Sequence, residues 1–85
     1  MEYVIVAYRA RAHTVKFSEF LRIHGVSNEI VNTPKEAGVG CGLSVKIPKA
    51  VLMGVKQAVY SLGLNSFAGI FLVTTYGGKR IVRSI

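Results

Sequence analysis

The hydrophobic period changes back and forth along this chain, and the order of those periods limits the fold more than any single residue does. Residues 3–8 are β-branched and aromatic and almost continuously apolar, as a strand buried on both faces requires. From Ala10 the spacing becomes helical. Thr14, Phe17, Leu21 and His24 recur with Phe20 beside them, Arg11, Lys16, Ser18, Glu19 and Arg22 fill the other positions, and Gly25 follows as a terminator. This predicts a helix over about 11–24. Residues 27–33 alternate weakly around Ile30 and Val31 and stop at Pro34, an edge strand. Leu43, Val45 and Ile47 alternate with Ser44 and Lys46 until Pro48, a half-buried strand. Pro48-Lys49 then opens a second helix, on which Val51, Val55, Ala58, Val59 and Leu62 form one stripe and Gly63 lies just past the end. Residues 67–76 read as a strand, Gly77-Gly78 as a two-residue hairpin turn, and 79–85 as a last, basic strand.

The order β-α-β-β-α-β with an added C-terminal strand predicts an α+β protein of one domain over residues 1–85. Split βαβ units in this order build a ferredoxin-like sandwich, an antiparallel sheet with two helices on one face. The helical stripes are expected on the sheet face bearing Leu43, Val45 and Ile47, with the opposite face partly apolar and open. The chain is 51% hydrophobic with a mean hydropathy of +0.41. A domain of 85 residues has little interior for so much apolar surface, which predicts a homo-oligomer.

The net charge of +7 favours anionic partners. The cations are scattered, with no block of five, and the aromatic-plus-basic strand motif of RNA-recognition domains is missing, so nucleic acid is not an expected partner. The longest apolar run, residues 67–73, is far shorter than the roughly 20 residues of a membrane-spanning helix. The start of the chain is acidic where a signal peptide is basic. A single cysteine forms no intrachain disulfide and suits a reducing compartment. The expected location is cytoplasmic, with no membrane.

The chemistry concentrates in Pro34-Lys35-Glu36-Ala37-Gly38-Val39-Gly40-Cys41-Gly42. Cys41 stands directly between two glycines, and Gly38, Gly40 and Gly42 permit turns that bring several N–H groups toward one point. Such donors, with Lys35 in the preceding turn, favour the thiolate. Cys41 is therefore the candidate reactive residue, and Pro34, Lys35, Glu36, Gly38, Gly40 and Gly42 the candidate binding residues. The opposing reading is structural: Cys41 shares the parity of Leu43, Val45 and Ile47, and a small buried thiol is common.

Asn32-Thr33-Pro34-Lys35-Glu36 followed by Gly40-Cys41-Gly42-Leu43 resembles the putative Se/S carrier protein-like family of small bacterial domains. The likeness covers roughly residues 3–70, and its specific part is 33–43. The resemblance implies that Cys41 stands at the family's cysteine and Pro34, Lys35 and Glu36 at its charged turn. The Gly77-Gly78 hairpin extends beyond the usual end.

Other motifs carry less. The glycine loop lacks the helix that must follow a dinucleotide fingerprint. His13 and His24 lack the paired short spacing of zinc ligands, so no metal and no cofactor is expected. His24 reads as a cap at the helix end, His13 as a first-turn residue, Phe17, Phe20 and Phe67 as core, and Lys79, Arg80 and Arg83 as charges guarding an edge strand. Two function classes follow. In one, Cys41 carries sulfur or selenium as a persulfide or selenosulfide between donor and acceptor proteins. In the other, the chain is a non-enzymatic oligomeric module that binds a small anion or a protein partner.

Overall fold

The residues that read as a doubly buried strand form the middle of the sheet. The structure, a computed structural model, describes residues 1–40 and 42–85. Its elements are β1 (Glu2–Tyr8), α1 (Arg11–Ile23), β2 (Glu29–Asn32), a 3-10 turn (Lys35–Ala37), β3 (Leu43–Ile47), a second 3-10 turn (Lys49–Val51) that runs into α2 (Leu52–Leu62), β4 (Phe67–Tyr76) and β5 (Lys79–Ser84). The five strands lie in the order β2-β3-β1-β4-β5 and every neighbouring pair is antiparallel. The protein is thus α+β, with one five-stranded antiparallel sheet and two helices.

Val4, Ile5, Val6 and Ala7 are all 0% exposed, so both faces of β1 are covered. One face packs Val4, Val6 and Tyr8 with Val45, Ile47, Ile70 and Leu72, and both helices join this cluster, α1 through Phe17 and Leu21 and α2 through Val55 and Val59. Each large apolar side chain sealed there contributes about 1.5–3 kcal/mol. The other cluster holds Ile5, Ala7, Phe71 and Val73, and no helix residue belongs to it. Its cover includes Ala37 and Val39, together with Tyr3, Val31, Ala68 and Val82. The face expected to be open is therefore closed at its centre by the chain's own glycine-rich loop. Ala37 and Val39 are the two apolar residues of that loop before the cysteine, and their alternation with Gly38 and Gly40 lets both meet the sheet.

The helix ends follow the expected chemistry in part. His24 Nδ1 donates to Phe20 O at 2.9 Å at the end of α1, as a C-terminal cap does. Ala10 offers no capping side chain to the start of α1. Ser66 fastens that corner instead: its Oγ accepts from Ala10 N–H at 3.1 Å and lies 2.6 Å from His13 Nδ1, while its carbonyl accepts from Arg9 N–H at 2.8 Å. α2 ends at Gly63, whose φ of 57° is the left-handed conformation that closes a helix. The edge strand around Ile30 and Val31 is shorter than expected because Ser27 and Asn28 stay outside it; Asn28 bonds back to Ser18 and Val26. Phe67, expected in the core, is 39% exposed. It is the first residue of β4, beyond the end of α2, and meets the ring of Tyr8 in a T-shaped contact with centroids 5.8 Å apart.

Candidate functional site

The loop between β2 and β3 is closed at its neck. Asn32 pairs with Leu43 as the last rung of the ladder, and Thr33 N–H donates to Gly42 O at 3.0 Å. Thr33 Oγ1 and Ser44 Oγ meet at 2.6 Å, with Ser44 fully buried. Thr14 of α1 extends its hydroxyl toward Leu43 O at 3.4 Å, tying the helix to the strand that leaves the loop.

Above the neck, Pro34 is buried and extended, with φ −60° and ψ 141°, and sets the direction of the 3-10 turn. Ala37 N–H donates to Pro34 O at 3.1 Å and Gly38 N–H to Lys35 O at 3.0 Å. Gly38 and Gly40 have φ of 68° and 66°. Only glycine adopts that region at little cost, so these two positions turn the chain down onto the sheet and back again. Gly42 has no such φ; its part is the carbonyl that closes the neck.

Lys35 is exposed, whereas Glu36 is held from a distance. Arg80 of β5 approaches its carboxylate as a fork, Nη2 to Oε1 at 2.9 Å and Nε to Oε2 at 3.2 Å. The Arg80 hydrogen bonds, followed by a backbone hydrogen bond at Glu36 itself, hold the Glu36 carboxyl below its usual range. A shallow polar cleft at this junction is lined by Glu36, Thr75, Tyr76, Gly78, Lys79 and Arg80.

The structure thus gathers Pro34, Lys35, Glu36, Gly38, Gly40 and Gly42 into one loop seated on the sheet. Cys41 itself lies outside the described residues. Its neighbours Gly40 and Gly42 are both exposed. The expected convergence of glycine amides is limited at Gly38, whose N–H is committed to the turn. His13 and His24 are engaged with Ser66 and Phe20, and among the described residues no group of three His, Cys, Asp or Glu stands ready for a metal. No helix is long and apolar enough to cross a membrane.

Sequence reasoning missed Arg80 as a loop residue and took it for an edge guard. A signal was present: Glu36 is the last acidic residue of the chain, and the six Lys and Arg that follow it have no acidic side chain among them. Sequence reasoning also missed Ala37 and Val39 as the feet on which the loop stands.

Residues 2–65 match the model of the family described as putative Se/S carrier protein-like. The chain belongs to this family. The match runs from β1 through the cysteine loop to the end of α2 and stops short of β4 and β5. Glu36 of the carrier-family loop therefore lies inside the matched stretch, and the Arg80 that holds it lies outside. Neither the curated proteins nor the solved structures give a match.

Proposed function

We propose that this member of the family carries sulfur or selenium on Cys41. The observation that carries the reading is the family match over residues 2–65, which includes the whole loop. The loop's architecture supports it. A neck fastened by Thr33 and Gly42, two glycines in left-handed conformation and a Glu36–Arg80 clamp hold the backbone on either side of the cysteine. Rigid elements that position a nucleophile on a short loop suit transfer between two proteins.

The chemistry needs one thiol. The Cys41 thiolate attacks the outer sulfur of a donor persulfide, forming an S–S bond while the donor leaves as thiolate. An acceptor nucleophile then attacks that outer sulfur and releases Cys41 as thiolate, with no net oxidation. A selenium atom on the donor sulfur follows the same course and gives a selenosulfide. Partners are accordingly a donor and an acceptor protein, and the thiol must be kept reduced, which a cytoplasmic location supplies.

The fold belongs with this reading as a ferredoxin-like sandwich. The β2-β3-β1-β4 order and the joining of both helices to one cluster support that assignment, with β5 added at the edge.

Alkylation of the native protein with iodoacetamide across pH tests the proposal. Half-maximal reactivity of Cys41 is expected clearly below the free-thiol value of ~8.5. Reaction only after denaturant is added makes Cys41 a core atom and ends the carrier reading.

A further inference from the structure

β5 is the last strand of the sheet, and its outer edge has no backbone partner among the described residues. Ile85 N–H donates to Ile70 O at 2.9 Å, so alternation turns the N–H groups of Lys79, Ile81 and Arg83 toward β4 and those of Arg80, Val82 and Ser84 outward. On the face shared with the helices, Ile81 and Arg83 stand opposite Thr74 and Leu72. The two helices do not cover this margin: Ile81 is 44% exposed and Ile85 42%. Beside it a groove runs between α2 and the hairpin, lined by Lys56, Tyr60, Leu64, Phe67 and Ile85 among others.

Charge decides what fits there. All four side-chain carboxylates are already paired: Glu2 with Lys49, Glu19 with Arg22, Glu29 with Lys46 and Glu36 with Arg80. Lys56, Lys79 and Arg83 have no ion pair among the described residues. A second copy therefore brings cations and no unpaired side-chain carboxylate. In the antiparallel self-pairing centred on Ile81, Lys79 falls opposite Arg83 on the same face, and like charges directly opposed are destabilising.

We propose that the β5 edge is a docking strand for an extended, acidic segment of another protein. Main-chain bonds to Arg80, Val82 and Ser84 would supply the affinity, as in other strand additions. The face shared with the helices sets the pattern: a carboxylate against Lys79, an apolar side chain against Ile81, a carboxylate against Arg83. The recognised segment is thus acidic at i and i+4 and apolar at i+2. The charges that keep β5 from pairing with itself are the ones that select this partner. The inference stands independently of the Cys41 reading and uses a hairpin outside the family match.

The test uses the full chain, isotope-labelled, with a synthetic peptide repeating glutamate, threonine, valine, threonine, and a control in which lysine replaces glutamate. Amide hydrogen exchange should slow at Arg80, Val82 and Ser84 on adding the acidic peptide and stay unchanged at Lys79, Ile81 and Arg83. Arg83→Glu should weaken binding by roughly tenfold, as reversal of a contacting charge does. Ser84→Pro, which keeps the charge and removes an outward N–H, should weaken it as well. Equal binding of the lysine peptide, or protection confined to the β2 edge, overturns the proposal. So does a free protein that sediments as a dimer with the outward β5 amides already protected, since the occupant is then a second copy.

Discussion

Replacing Gly69 by alanine strikes the support beneath the loop. Gly69 has φ 141°, and a Cβ built on it would lie 2.9 Å from Phe71 Cζ and 3.0 Å from Cε2. Phe71 is only 6% exposed, enclosed in the cluster that Ala37 and Val39 help to cover, so its ring has little room to retreat. Overpacking of this kind costs about 1–3 kcal/mol, and a side chain forced into a sparsely populated backbone region costs a similar ~1–3 kcal/mol. Taking about 3 kcal/mol for the sum, a domain of this size should lose roughly 12–24 °C in Tm. Thermal and urea melts of Gly69→Ala measure the loss. The same substitution in a Phe71→Leu background should cost about 1–2 kcal/mol less, because the clash disappears and only the backbone strain remains. The displaced ring should also loosen the loop and speed alkylation of Cys41. A Gly69→Ala protein within about 0.5 kcal/mol of the parent, the ordinary range for harmless substitutions, refutes the packing argument, and so does a cost that ignores residue 71.

Further outcomes follow from other contacts. Arg80→Gln should raise the midpoint at which Glu36 titrates by NMR and leave Glu2, which Lys49 holds below its usual range, unmoved. Because the folded Glu36 value is depressed, the pair's contribution is present at neutral pH and is lost as pH falls through that depressed value; the loop should loosen there, whereas in Arg80→Gln it should be loose already at neutral pH and show no such step. Tyr8 is buried with no hydrogen-bond partner for its hydroxyl among the described residues, and burial pushes its phenol up to about 12. Tyr8→Phe should therefore be neutral or stabilising by about 1 kcal/mol in urea melts, and the parent should show one tyrosine resisting ionisation in ultraviolet titration. Phe17→Ala, which empties the centre of the helix-facing core, should cost about 3–5 kcal/mol.

The sequence revealed most where one residue's neighbours decide its place. The continuous apolarity of residues 3–8 reported a strand covered twice, and the stripe Phe17 to Leu21 reported a buried helix face. The Gly77-Gly78 pair, with φ of 56° and 76°, reported its hairpin. What the sequence hid were pairings between segments far apart. Glu36 and Arg80 are 44 residues apart, and no local period announces that a loop folds onto the cluster of Ile5, Ala7, Phe71 and Val73. Phe67 was misplaced for the same reason, since a large apolar side chain does not state whether a helix will reach it. The loop's composition pointed to Cys41, but Gly38 served the turn rather than a ring of converging donors.

Whether Cys41 carries a chalcogen is read most plainly by loading the native protein with a small-molecule persulfide and weighing the intact chain. One added sulfur atom per chain is expected on native protein, released by a thiol acceptor and lost in Cys41→Ser while the melting transition is retained. Native protein that stays unloaded, with loading restored only in denaturant, or a Cys41→Ser protein that loads as well as the parent, contradicts carriage on Cys41.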